Sequence, residues 1–158
     1  MQRMQRIVGL ALILVIGILG GCSARSGDHE DRTASEVAAR VAQAVSLGGM
    51  QARDAEKLRK LYGIKADDIA DFALYTAESN VKADELAIVK VKEPGEADNV
   101  MNQIRHRIEA QTVKFRDYRP EEFYLIDKHV LKSAGSFVFF AVSKEADRME
   151  QAFDAALK

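Results

Sequence analysis

Few side chains in this sequence are placed to do chemistry. Its one cysteine, Cys22, ends the run Ile18-Leu19-Gly20-Gly21-Cys22. The thiolate is the nucleophile most easily alkylated under mild conditions, and two glycines before it let the backbone lie extended against a modifying enzyme. Four further residues are binding candidates: Glu85 and Lys90 in one apolar stretch, Arg107 in a long amphipathic segment, and Tyr118 at that segment's end. A lysine within an apolar run either carries its head to water or pairs with an acid, here Asp84 or Glu85, and pairing inside a cleft would make a site. Arg105, Arg107, Lys114, Arg116 and Arg119 outnumber Glu109 and Asp117 around it. Such a face could meet anionic lipid headgroups or teichoic-acid phosphates, although the wet side of an amphipathic helix is the simpler account.

Other constellations lack the spacing their chemistry needs. No G-x-S-x-G marks a serine nucleophile, and Gly135-Ser136 reads as a turn. His29, His106 and His129 do not fall at metal-ligand intervals, and Asp67, Asp68 and Asp71 lack the D-x-[DN]-x-[DN]-G calcium loop. No glycine-rich loop precedes a helix, so we expect no metal and no cofactor. The formal net charge of −1 gives no reason to expect a nucleic-acid partner.

Arg3 and Arg6 precede Ile7 to Leu19, which carries no charge and is followed by small residues. This layout suits a secretory leader and is too short for the ~20 apolar residues of a spanning helix. Leu19-Gly20-Gly21-Cys22 resembles the lipobox of bacterial lipoproteins. The resemblance implies residues 1–21 as a cleaved signal peptide and Cys22 as a diacylated anchor, two chains holding where one is marginal. Residues 22–33 then read as the lipidated cysteine and a polar, flexible tether, in which Asp28-His29-Glu30-Asp31 is a solvated charge run. With Cys22 modified, disulfides and a cysteine zinc site are excluded.

The remainder, 34–158, is expected to be one α+β domain with element order α-α-β-β-α-β-β-α. Ser35 is a plausible N-cap for a first helix that Gly48-Gly49 ends, and Asp54 caps a second that Gly63 ends. Asp71–Glu78 and Asp84–Lys92 read as one hairpin, Glu121–Ser133 and Ser136–Ser143 as another. Between them a helix runs from about Glu96 to Tyr118 and is ended by Pro120; a last helix closes the chain. The two hairpins predict a four-stranded antiparallel or mixed sheet. Leu86 and Ile88 oppose Ala87, Val89 and Val91, and Phe137 and Phe139 oppose Val138 and Phe140. Both strands therefore look buried on both faces, so either helices cover both or one apolar face awaits a partner.

The segments DFALYTAESNVKADELAIVKVKE, NQIRHRIEAQTVKFRDYRPEE and GSFVFFAV resemble a bacterial lipoprotein family catalogued as a domain of unknown function, the 4358 family. The resemblance covers most of the chain after Asp54 and implies a secreted, lipid-anchored protein of Gram-positive-type bacteria. It carries over no catalytic residues. The resulting expectation is a non-catalytic binding or interaction module on the extracytoplasmic face of the cell membrane, held by lipid on Cys22, with an envelope protein or cell-wall ligand as partner. One alternative is a cell-envelope hydrolase using carboxylates or a metal, which would need Glu85, Lys90 or His129 gathered with another carboxylate. The other is an oligomerising structural envelope component.

Overall fold

The computed structural model describes residues 31–158, so the expected leader, Cys22 and most of the expected tether lie outside the described residues. Helix α1 (Ala34–Ala44) begins at Thr33, not at Ser35. Thr33 Oγ1 accepts from Glu36 N at 3.1 Å while Thr33 N donates to Glu36 Oε2 at 2.8 Å. That reciprocal box needs an acid three residues past the cap, which Thr33 has. Ser35 N instead donates to Asp71 Oδ2 at 3.3 Å. The helix stops at Ala44, before the glycines, and Gly49 (φ 80°) turns the chain into a short strand, β1 (Met50–Arg53).

Helix α2 (Ala55–Tyr62) is capped by Asp54, whose carboxylate accepts from Lys57 N at 2.9 Å, and ends at left-handed Gly63 (φ 71°). Strands β2 (Asp71–Ala77) and β3 (Glu85–Lys90) form the first hairpin. Helix α3 spans Ala97–Phe115. The stretch expected to be one strand from Glu121 is divided: helix α4 (Pro120–Asp127), then strand β4 (Val130–Ala134). Pro120 starts a helix because its fixed φ and missing N–H cost nothing at the first helical position, and Glu121 and Glu122 favour the positive end of the helix dipole. Strand β5 (Phe137–Val142) and helix α5 (Ala146–Ala156) complete the chain.

The result is α+β, with one five-stranded, wholly antiparallel sheet ordered β1-β2-β3-β5-β4 in place of the expected four strands. The hairpins join through their inner strands, Glu85 opposite Val142 and Lys90 opposite Phe137. Helices cover both faces. On one, Leu58 of α2, Ile104 and Phe115 of α3 and Ile126 of α4 pack on Ala87, Val89, Val138 and Phe140. On the other, Val37 and Val41 of α1 and Met149 and Phe153 of α5 pack on Leu86, Ile88 and Phe139. The Phe139 and Phe153 rings lie 4.8 Å apart. Period-2 alternation therefore sends β3 residues 85, 87 and 89 toward α2–α4, and residues 86, 88 and 90 toward α1 and α5.

Candidate functional site

Glu85 is the first residue of β3 and faces α3, where it is 1% exposed. A carboxylate so buried must be partnered. Arg107 and Gln111, one helical turn apart on α3, meet it. Arg107 Nε donates to Oε1 at 3.1 Å and Nη2 to Oε2 at 2.8 Å; Gln111 Nε2 donates to Oε2 at 3.1 Å. The Tyr62 hydroxyl, from the last residue of α2, donates to Oε1. Four donors thus occupy the four acceptor positions of one carboxylate. Burial first, then the adjacent Glu85 carboxylate, push the Tyr62 phenol well above its ordinary pKa, so it remains a proton donor. Burial works against the Arg107 cation, but the hydrogen bonds and charge of Glu85 outweigh it and hold its pKa above the usual guanidinium value.

A second buried acid braces the β2–β3 connection. Glu122 of α4, 1% exposed, accepts from Lys82 Nζ at 2.6 Å and from Ala83 N at 2.8 Å. Its hydrogen bond and charge raise the pKa of Lys82. Burial, followed by the charge of Glu122, raises that of neighbouring Asp84. Thr76, the cross-strand partner of Glu85, accepts at Oγ1 from Arg53 Nε at 2.6 Å. Arg53 lies on the short strand β1, so that strand, unforeseen in the sequence, supports the site from its edge.

Beside these groups lies a polar cavity of about 110 Å³, open to solvent. Glu85, Arg107 and Gln111 line it with Asp84 and three lysines: Lys57 of α2, Lys82 of the connection and Lys114 of α3. Lys114 Nζ donates to Asn80 O at 2.6 Å.

Of the four binding candidates the structure joins two, Glu85 and Arg107. Lys90, five residues past Glu85, points to the opposite face. Its ammonium donates to Arg32 O at 2.8 Å and lies 5.5 Å from the Phe137 ring centre. Tyr118 is 69% exposed in the turn after α3, with the Arg119 guanidinium 5.8 Å from its ring centre, and is not one of the residues bonded to Glu85. His129 Nδ1 is 2.7 Å from Ile126 O and its ring packs on Phe140. Asp67 and Asp68 line a wider cleft of about 540 Å³, where Lys92 Nζ donates to Asp67 O at 2.5 Å, whereas Asp71 faces Ser35. Among the described residues, no group of three His, Cys, Asp or Glu side chains is placed to hold a metal ion, and no helix is long and apolar enough to cross a membrane.

Tyr62, Gln111 and Glu122 were not singled out by sequence. Gln111 carried a signal: it sits at helical spacing on the stripe Val100, Ile104, Ile108, Phe115, where a polar residue must meet a buried partner.

The family described as Domain of unknown function (DUF4358) matches this chain over residues 43–143. That span holds β1 to β5 and all of the network around Glu85. Comparison with curated proteins and with solved structures gave no match.

Proposed function

The chain belongs to the DUF4358 family, and from that footing we propose that it is a lipid-anchored, extracytoplasmic binding module of the bacterial cell envelope, with the cavity beside Glu85 as its binding site. Anchoring rests on the leader and on Leu19-Gly20-Gly21-Cys22. Binding rests on one observation: the Glu85 carboxylate is fully engaged by Tyr62, Arg107 and Gln111. A group with every acceptor position filled organises a cleft and has no free lone pair with which to take a proton from a substrate.

The observation that favours the hydrolase alternative is that Asp84 shares the cavity with Glu85. An acid–base pair needs two carboxylates free to trade protons, and the committed Glu85 supports the binding reading over that one. Self-association is a third reading. With helices packed on both sheet faces, it would run along strand edges, not through an open face.

The test is made in cells with Cys22→Ser and with a photoreactive residue in place of Ser79, on the cavity wall. The parent protein should begin at Cys22, carry a diacylglycerol mass and sediment with membranes. Cys22→Ser should lose both lipid and sedimentation, and Ser79 crosslinks should capture a specific envelope component. A cytosolic parent protein that starts at Met1 with residue 22 bare would overturn the anchoring; absence of crosslinks from Ser79 would overturn the binding site.

A further inference from the structure

Resting on the reading of this cavity as a binding site, we infer that it receives a phosphate group, held by the ammonium groups of Lys57, Lys82 and Lys114 above a floor that includes Arg107. Three observations converge.

The first is charge. Four cationic side chains line the cavity against two carboxylates, Asp84 and Glu85. Glu85 is matched by Arg107 and Lys82 by Glu122, the latter at 2.6 Å. Lys57 and Lys114 then remain against Asp84 alone. Among the described residues, the side chain of Lys57, a half-buried residue, makes no hydrogen bond or ion pair. Lys114 gives one N–H to Asn80 O, keeps two, and is steadied by its position 4.6 Å from the Phe115 ring centre. A cavity in which uncommitted donors exceed acceptors is built for an anion.

The second is shape. Planar carboxylates are gripped best by the paired N–H groups of a guanidinium fork. In this cavity Glu85 has taken that fork, through Nε and Nη2 of Arg107. The other cations on its wall are compact point charges arriving from three directions: the uncommitted Lys57 and Lys114 from α2 and α3, and Lys82, already paired with Glu122, from the β2–β3 connection. A tetrahedral phosphate spreads its oxygens in several directions and suits point charges, where a flat carboxylate does not.

The third is size. A volume of about 110 Å³ equals that of roughly four liquid waters at ~30 Å³ each. It admits a phosphate while the organic substituent stays outside, at the open mouth. The phosphate could come from a membrane headgroup or from a soluble ester, and the experiment separates the two.

Full-length protein in neutral detergent is titrated calorimetrically, at constant ionic strength, with inorganic phosphate, glycerol 3-phosphate and acetate. In parallel it is sedimented with vesicles of phosphatidylglycerol or phosphatidylcholine. Phosphate should bind saturably and acetate at least tenfold more weakly. Lys57→Gln and Lys114→Gln should each weaken phosphate at least threefold with an unchanged thermal midpoint, and Asp84→Asn should tighten it. Lysine-dependent preference for phosphatidylglycerol vesicles would support the inference with a headgroup as the source, and preference for glycerol 3-phosphate would support it with a soluble ester. Equal binding of acetate, or lysine variants that bind as the parent does, would overturn it. Absence of phosphate binding in a protein that still carries lipid on Cys22 and still crosslinks through Ser79 would sink the phosphate inference alone, leaving the binding module standing.

Discussion

Removing Arg107 should cost this fold far more than removing any other arginine on α3. In Arg107→Met, Glu85 stays 1% exposed and keeps Tyr62 and Gln111 but loses the cation that balances it. Stranding one member of a buried ion pair costs about 3–5 kcal/mol. At this chain length that lowers the thermal midpoint by roughly 9–25 °C, taking ~3–5 °C per kcal/mol. Glu85→Gln should cost a comparable amount, because its amide nitrogen would face donors that have lost their acceptor. The double variant Glu85→Gln/Arg107→Met strands no charge. It should therefore cost less than the sum of the singles, with a coupling energy of about 2 kcal/mol or more from urea unfolding followed by circular dichroism. Arg105→Met, on the exposed side where, among the described residues, the Arg105 side chain hydrogen-bonds only Asn102, should fall within about 0.5 kcal/mol of the parent. Additive singles, or an Arg107→Met no costlier than Arg105→Met, would refute the claim that this pair organises the cavity.

Asp84 carries the opposite sign. Burial and then Glu122 raise its folded pKa above the ordinary aspartate value, so its stabilising contribution is complete below the unfolded value of about 4 and is lost as pH rises through the folded one. Asp84→Asn should accordingly raise the thermal midpoint at pH 7 and change it little near pH 3. A lowered midpoint at pH 7 would mean that Lys82 and Lys144 govern this carboxylate instead. Gly63→Ala, at the left-handed end of α2 (φ 71°) with no atom beyond its chain neighbours within 4 Å of the added methyl, should cost about 1 kcal/mol through backbone strain alone. Urea midpoints would check it, and a neutral result would contradict the cap geometry.

What the sequence discloses follows from how strongly each element is patterned. β3 and β5 declare themselves because runs such as Leu86-Ala87-Ile88-Val89 are apolar on both sides, and helices do cover both. β1 is silent: Met50-Gln51-Ala52-Arg53 is four residues long, half exposed and an edge, so pairing with β2, not side-chain pattern, makes it a strand. Phe123-Tyr124-Leu125-Ile126 has strand-like propensity, yet it lies in α4, where Pro120, Glu121 and Glu122 set a helix start and tertiary packing overrides propensity. In the site, Glu85 and Arg107 are legible as charges set in apolar surroundings. Lys90 misleads because an odd spacing from Glu85 puts it on the other face. Tyr62 and Glu122 stay hidden because one residue looks apolar and the other looks like surface charge until their partners, far away in sequence, arrive.

The pairing of Glu85 with Val142 and of Lys90 with Phe137 also sets the order of events in the life of the chain. The middle of the sheet unites a strand from residue 85 onward with one that does not begin until residue 137. No fragment released from the ribosome before that second strand can zip its centre, and closing so distant a pair makes folding slow. A nascent chain that has emerged only as far as the first hairpin therefore carries one flank of its central strand bare, and the sheet locks only when the partner from the second hairpin arrives.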